Sequence, residues 1–259
     1  MTFDAVVLAG GRIRGPIARE TGVQYKALIP FQGFTLLERT MSAVRATEQV
    51  QHIAVIGPAA LEATAAAAGA SLFVEEGASI PENLERGVLA LQQARGGRHA
   101  DRLVAAASDL PFISTEAISA FIRNCPACAD ICVPVVRRRT FQMRFPKAPA
   151  RFVRLQDGEY TAGCVFLLNP EAVMTSRPHI EKICNARKNQ TAMAMLLGPL
   201  FMARFVTRRL RVEHIERRCG QILGKEGAAV LDSPPELAFD IDDVEDYRYA
   251  LTASGRTCI

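Results

Sequence analysis

Short apolar runs alternate with segments whose apolar positions recur every three or four residues through the first half of the chain. Runs at 5–9, 52–56, 71–74, 103–107 and 131–136 have the length and composition of buried strands. Between the first two, in "TLLERTMSAV", Thr35 and Glu38 stand at the spacing of a capping box, and Leu37, Met41 and Val44 share one helical face. Ser79 and Glu82 repeat that spacing ahead of Ile80, Leu84, Val88 and Leu91, and the Ala-rich stretch 61–68 suits a further helix. Strand and helix in this rhythm predict an α/β fold, a parallel sheet covered on both faces.

The second half is less regular. "ARFVRLQDGEYTAGCVFLLNP" reads as two strands about a turn at Asp157 and Gly158, returning antiparallel at a sheet edge. Helical patterning runs from Pro178 to about Cys219, with Gly198-Pro199 as a break. No repeat, low-complexity tail or linker interrupts the chain, so 1–259 reads as a single domain with an elaborated second half.

Composition narrows the class. Of the 259 residues, 49% are hydrophobic and 22% charged, as in ordinary globular proteins. No apolar stretch approaches the ~20 residues that span a bilayer. The start lacks the basic and apolar regions of a signal peptide, and seven cysteines, an odd number, do not suggest a disulfide framework. A cytoplasmic enzyme is expected, with no membrane partner. The net charge of +4 is local: residues 137–154 hold seven basic side chains and no acidic one. That pattern points to a phosphorylated or acidic partner more than to nucleic acid.

The chemistry begins with "FDAVVLAGGRIRG". Gly10 and Gly11 follow the first strand, where ligands of open α/β sheets bind, and glycine lets backbone N–H groups approach an anion. Gly10 to Gly15 is not the dinucleotide pattern G-x-G-x-x-G, and "CGQILGKEG" around Gly224 has the wrong spacing for a P-loop. Arg12 and Arg14 follow the glycines and line the turn with positive charge. Lys26 opens "KALIPFQG", just before a short apolar stretch. Asp109 ends the strand "LVAAASDLPF", where it suits Mg²⁺, which takes one or two carboxylates with phosphate oxygens and waters. In "ELAFDIDDVEDY", Asp243 and Asp246 read as the start of the last helix, leaving Asp240 and Asp242 on one face of an extended segment.

These motifs, in this order, resemble the nucleotidyltransferase superfamily of MobA-like NTP transferases, which includes molybdenum-cofactor guanylyl- and cytidylyltransferases and sugar-1-phosphate nucleotidylyltransferases. The resemblance spans nearly the whole chain. It implies a Rossmann-like three-layer α/β/α fold with a mostly parallel mixed sheet, an NTP-binding half (1–136) and an acceptor-side half (137–259). It further implies an NTP donor, a phosphorylated small-molecule acceptor, Mg²⁺ and release of pyrophosphate. Carried onto this sequence, Leu8, Ala9, Gly10, Gly11, Arg12, Lys26, Asn83 and Ser108 contact nucleotide, and Lys26, Asp109 and Arg14 are catalytic. Thr161, Gly163 and Lys188 face the acceptor, and Asp109 with Asp240, or its rival Asp242, holds metal. One departure stands out: the family's loop arginine is followed by Met-Gly, whereas Gly15-Pro16 occurs here, so the choice between Arg12 and Arg14 stays open.

Other readings compete. A metal-dependent glycosyltransferase would release a nucleoside diphosphate, a regulatory protein would bind nucleotide without turnover, and an RNA-binding protein would use the basic segment with steep salt dependence. Cys125, Cys128 and Cys132 lack a second pair at zinc spacing and read as ordinary thiols.

Overall fold

The computed structural model describes residues 1–186 and 190–255. Its elements, in chain order, are β1 (Phe3–Leu8), α1 (Pro16–Thr21), a 3-10 turn (Lys26–Leu28), β2 (Pro30–Phe31), β3 (Phe34–Thr35), α2 (Leu36–Arg45), β4 (Val50–Gly57), α3 (Glu62–Ala67) and β5 (Leu72–Glu75). There follow α4 (Ile80–Ala94), β6 (Arg102–Ala107), α5 (Thr115–Asn124), β7 (Ile131–Arg137), α6 (Arg138–Arg144), β8 (Val153–Leu155), β9 (Gly158–Ala162) and β10 (Val165–Leu168). The chain closes with α7 (Pro170–Ala186), α8 (Gln190–Leu197), α9 (Pro199–Val206), α10 (Val212–Leu223), β11 (Gly227–Val230) and α11 (Val244–Ser254).

The main sheet is mixed, in the order β5-β4-β1-β6-β10-β7-β9-β8, with β11 also on β7. β1 runs parallel to β4 and β6, and β4 to β5, as the strand–helix rhythm predicts. The alternation of side chains decides what covers each face. Ala5 and Val7 of β1, with Ile53, Val55, Val104 and Ala106, pack in the cluster that takes in Leu37 and Met41 of α2 and Phe121 of α5. Val6, Ala54, Ile56, Leu103 and Ala105 point the other way, into a cluster with Leu84, Val88 and Leu91 of α4 and Val173 of α7. The result is the Rossmann-like three-layer α/β/α fold with a mostly parallel sheet.

Local signals act much as the sequence suggests, with corrections. Thr35 and Glu38 form a reciprocal capping box. Ser79 caps α4, but Glu82 turns back to the N–H of Ala78 instead of completing the box, and Ile80 is exposed, because the packed face of α4 runs through Pro81, Leu84, Val88 and Leu91. α7 starts at Pro170, eight residues before the expected onset, and carries Pro178 in its interior. Gly198 (φ +87) and Pro199 separate α8 from α9, and Gly224 (φ +64) ends α10 in the left-handed region, so the P-loop look-alike is a helix C-cap.

The segment 151–168 forms three strands, not two. β8 and β9 make the hairpin at Asp157 and Gly158, while β10 inserts antiparallel between β6 and β7. Against β7, Ala162 faces Val135 but Leu167 faces Cys132, so five steps on one side match three on the other. The excess falls at Gly163 and Cys164, where the chain bends from β9 to β10. Gly163 is close-packed: a Cβ there would lie 2.5 Å from the Leu237 carbonyl oxygen and 2.8 Å from Pro134 Cγ. The neighbour that needs a glycine is therefore the backbone of the segment before α11, and a ligand is not required to explain it.

A third cluster, rich in aromatics, joins α1, α6 and α11 to the segment leading into α11. It holds Phe31, Phe141, Phe145, Phe239 and Tyr247. Phe112 meets Phe239 edge-on at 5.2 Å and Phe31 at 5.6 Å. Full burial of such side chains contributes roughly 1.5–3 kcal/mol each, enough to pin the segment that follows Phe239.

Candidate active site

β1, β6 and the segment 237–242 meet at the carboxyl ends of the parallel strands. The N–H of Ala9 donates to the Ile56 carbonyl at 2.7 Å, and that of Ser108 to the Leu8 carbonyl at 3.1 Å, so the turns after β1 and β6 are fixed to the sheet. Ser108 is buried, and Leu8 half-buried. Cys164 donates to the Leu237 carbonyl at 2.8 Å, and Ile241 to the Asp109 carbonyl at 3.0 Å. These two bonds lay the C-terminal segment along the end of the sheet and bring Asp240 and Asp242 to Asp109.

Asp109, Asp240 and Asp242 each present a carboxylate oxygen within 4.8 Å of the others. The two aspartates that the sequence reads as rivals thus converge with the third. Lys26 joins them: its Nζ donates to Asp109 Oδ2 at 3.0 Å and to Asp242 Oδ1 at 2.5 Å. Asp243 and Asp246 serve the helix instead. Asp243 accepts from the N–H groups of Glu245 and Asp246, and Asp246 accepts from those of Asp242 and Asp243, a capping box that orients α11.

The electrostatics follow from three acids and one base held in a half-buried corner. Burial pushes the Asp240 carboxyl up to about 6, the charges of Asp109 and Asp242 push the same way, and Lys26 partly offsets them. Burial alone would lower Lys26, but Asp109 and Asp242 outweigh it and lift its pKa above the ordinary lysine value. The neighbouring Cys164 thiol is raised by burial and by the same three carboxylates, so it stays protonated. Asp109 Oδ1 is buried without a hydrogen-bond partner. Hard divalent cations take oxygen ligands of this kind, so the donor set and the orphaned oxygen fit a metal.

The glycine turn lies beside this corner. Neither Gly10 nor Gly11 has a positive φ; their use is close approach. A Cβ on Gly10 would meet Glu76 Oε2 at 2.0 Å, and one on Gly11 would meet Lys26 Cδ at 3.2 Å. The Lys26 N–H also donates to the Gly11 carbonyl at 2.7 Å. Glu76, which the sequence did not single out, thus rests against Gly10; it follows the end of β5, far from β1 in the chain, so no local signal marks it. Arg12 lies over the Tyr25 ring at 5.2 Å and pairs with Glu76 at 3.6 Å. Arg14 is exposed and makes no hydrogen bond or ion pair among the described residues. Gly15 (φ +69) and Pro16, the departure noted in the loop, start α1.

The remaining candidates separate. Asn83 lies in the first turn of α4, and its Oδ1 accepts from the Gly77 N–H at 2.6 Å, which shapes the loop before the helix. Thr161 lines a cavity with Asp240 and Asp242. Gly163 sits at the β9–β10 bend described above. Lys188 and the neighbouring Arg187 lie outside the described residues. No helix among the described residues is long and apolar enough to cross a membrane.

Residues 5–217 match a family model described as MobA-like NTP transferase domain. The match takes in Lys26 and Asp109, whereas Asp240 and Asp242 lie beyond it. A structure titled as a hypothetical transferase from Thermus thermophilus is 28% identical, covers 95% of this chain and 99% of its own, and superposes with a TM-score of 0.79. A nucleotidyl transferase from Methanothermobacter thermautotrophicus shares the fold at 19% identity and a TM-score of 0.58, covering 99% of each chain. 4-Diphosphocytidyl-2C-methyl-D-erythritol synthase from Anaerococcus prevotii shares it at 11% identity and 0.61, covering 98% of this chain and 96% of its own. No protein of curated function matches the sequence.

Proposed function

Because the chain belongs to the MobA-like NTP transferase family, and its reaction type is therefore nucleotidyl transfer, we propose that it moves an NMP unit from an NTP to a phosphorylated small-molecule acceptor with Mg²⁺. The acceptor's phosphate oxygen attacks the α-phosphorus in line. A new P–O bond forms, the bond from the α-phosphorus to the bridging oxygen breaks, and pyrophosphate leaves with that electron pair. The acceptor oxygen is already ionised, so the site needs no general base, and positioning and charge stabilisation dominate.

The observation that carries this reading is the Lys26 ammonium set between Asp109 and Asp242, with its stem packed on Gly11. That stem points a permanent cation from the glycine turn, where we place the triphosphate, toward the carboxylates. Asp109, Asp240 and Asp242 are the proposed ligands of Mg²⁺, which when bound supplies charge to the α-phosphate and the departing pyrophosphate. Leu8, Ala9, Gly10, Gly11, Arg12 and Ser108 frame the nucleotide, with Asn83 holding its adjacent loop. Arg14, exposed and unpaired among the described residues, is the arginine available to close over the phosphates.

Calorimetric titration with ATP, CTP, GTP and UTP, with and without Mg²⁺, tests this. One nucleotide should bind in a Mg²⁺-dependent way, and Asp109→Asn should weaken it at least tenfold. Absence of binding by all four in the presence of Mg²⁺ would overturn the reading.

A further inference from the structure

Away from the carboxylate corner, α9 and α10 face each other across a cavity of about 420 Å³. Its wall residues all lie between 197 and 221, so none belongs to the candidate active site. From α10 come His214, Arg217, Arg218 and Gln221, at the i, i+3, i+4 and i+7 spacing that shares one helical face. From α9 come Leu200, Phe201 and Arg204, again on one face.

This wall holds three arginines and a histidine, and no acid among the described residues. The side chains of Arg204 and Arg217 make no hydrogen bond or ion pair among the described residues. Arg218 donates from Nη2 to the Leu196 carbonyl at 2.7 Å and from Nη1 to Gln221 Oε1 at 3.2 Å. Its Nε is buried without an acceptor. The acids of α10 do not neutralise this group: Glu213 lies 3.6 Å from His214 Nε2 but off the wall, and Glu216 accepts from the Ala229 N–H at 2.7 Å. Like charges gathered on neighbouring turns repel, and a buried donor without an acceptor is rare in folded proteins. An anion relieves both.

We propose that this cavity is a second ligand site, which binds the phosphate of a small phosphomonoester through Arg204, Arg217 and Arg218 and its organic body on Leu197, Leu200 and Phe201. The proposal owes nothing to the nucleotidyl-transfer reading. Phosphate fits better than carboxylate because of its charge and shape. A phosphomonoester carries close to two negative charges at neutral pH and three terminal oxygens, so more than one guanidinium fork can act on it. A carboxylate has one charge and two oxygens, enough for a single fork. The volume lies within the range of small-molecule sites, roughly 300–1,000 Å³. A soluble ester and a lipid headgroup present the same group, and Met195, Leu200 and Val206 stand exposed on α8 and α9, so both sources are tested.

Calorimetry on the whole chain at about pH 7.5, where the phosphate is doubly ionised, compares phenyl phosphate, inorganic phosphate and benzoate, without nucleotide. Phenyl phosphate should bind wild type at least threefold tighter than either of the others. Arg204→Gln and Arg217→Gln should each weaken it fivefold or more, and Arg217→Lys should lose less. Arg209→Gln removes the same charge from an exposed arginine off the wall and should stay within twofold. In the second arm, the chain is sedimented with phosphatidylcholine vesicles with and without phosphatidic acid. Binding that needs phosphatidic acid and is lost in Arg217→Gln but kept in Arg209→Gln assigns the phosphate to a lipid. Equal losses in Arg217→Gln and Arg209→Gln, unchanged binding in Arg204→Gln and Arg217→Gln, or no binding in both arms would overturn the site. Benzoate binding as tightly as phenyl phosphate would overturn the phosphate, and inorganic phosphate doing so would overturn the organic body.

Discussion

Asp240 is a carboxylate held against its own preference. Its folded pKa of about 6 lies above the ordinary 3.8, so its contribution to stability is present below the ordinary value and lost as pH rises through about 6. At neutral pH the metal-free protein carries the strain of three like charges. Asp240→Asn should relieve it: about 1–3 kcal/mol by the size of the shift, or roughly 2–10 °C in Tm. Differential scanning calorimetry should also show that the stabilisation wild type gains from Mg²⁺ shrinks in this variant; a Tm that falls without metal would contradict the account. Much of this corner was legible from residue type and place. An acid after an apolar strand needed only the general location of ligands in open α/β sheets, whereas the lysine before a short apolar run took its meaning from the family resemblance. That Asp240 and Asp242 act together was not legible, because it depends on the hydrogen bond from Ile241 to Asp109, made between residues far apart in the chain.

Elements carry the site through one bend. At Gly163 the chain passes from β9 to β10 while the backbone of Leu237 lies against it. Gly163→Ala sets a methyl against a carbonyl oxygen and a proline ring, neither of which can swing aside, and overpacking of this kind costs about 1–3 kcal/mol. The expected outcome is a lower Tm together with weaker Mg²⁺-dependent nucleotide binding, since relief of the clash displaces the segment bearing Asp240 and Asp242. Normal nucleotide binding in a folded Gly163→Ala protein would mean that the bend does not position the proposed metal ligands. The parallel half of the sheet was readable because its strands announce themselves by apolar runs and α2 and α4 by a cap and a three-to-four spacing. The antiparallel insertion was not readable. The apolar run at 165–168 marks a strand, yet says nothing of which two strands it separates.

At the scale of the whole molecule, the basic segment is weaker than its composition implies. Arg137, Arg138 and Arg144 each pair with an acid brought from elsewhere in the chain, and local neutralisation of this kind shortens the reach of a positive field. Filter binding to poly(U) at 150 mM salt should show affinity no better than the ~10⁻⁴ M of weak non-specific association. Micromolar binding with a steep salt slope would restore the RNA reading. The sheet order has one more consequence, for the chain as it is made. Synthesis delivers β6 and β7 before β10, the strand that lies between them, so a nascent chain displays two open strand edges, the kind of surface on which unfinished proteins stick together. Asp240 and Asp242 emerge later still. A half-translated copy holds Lys26 and Asp109 but neither Asp240 nor Asp242, so the carboxylate corner is assembled only after the sheet around it has closed.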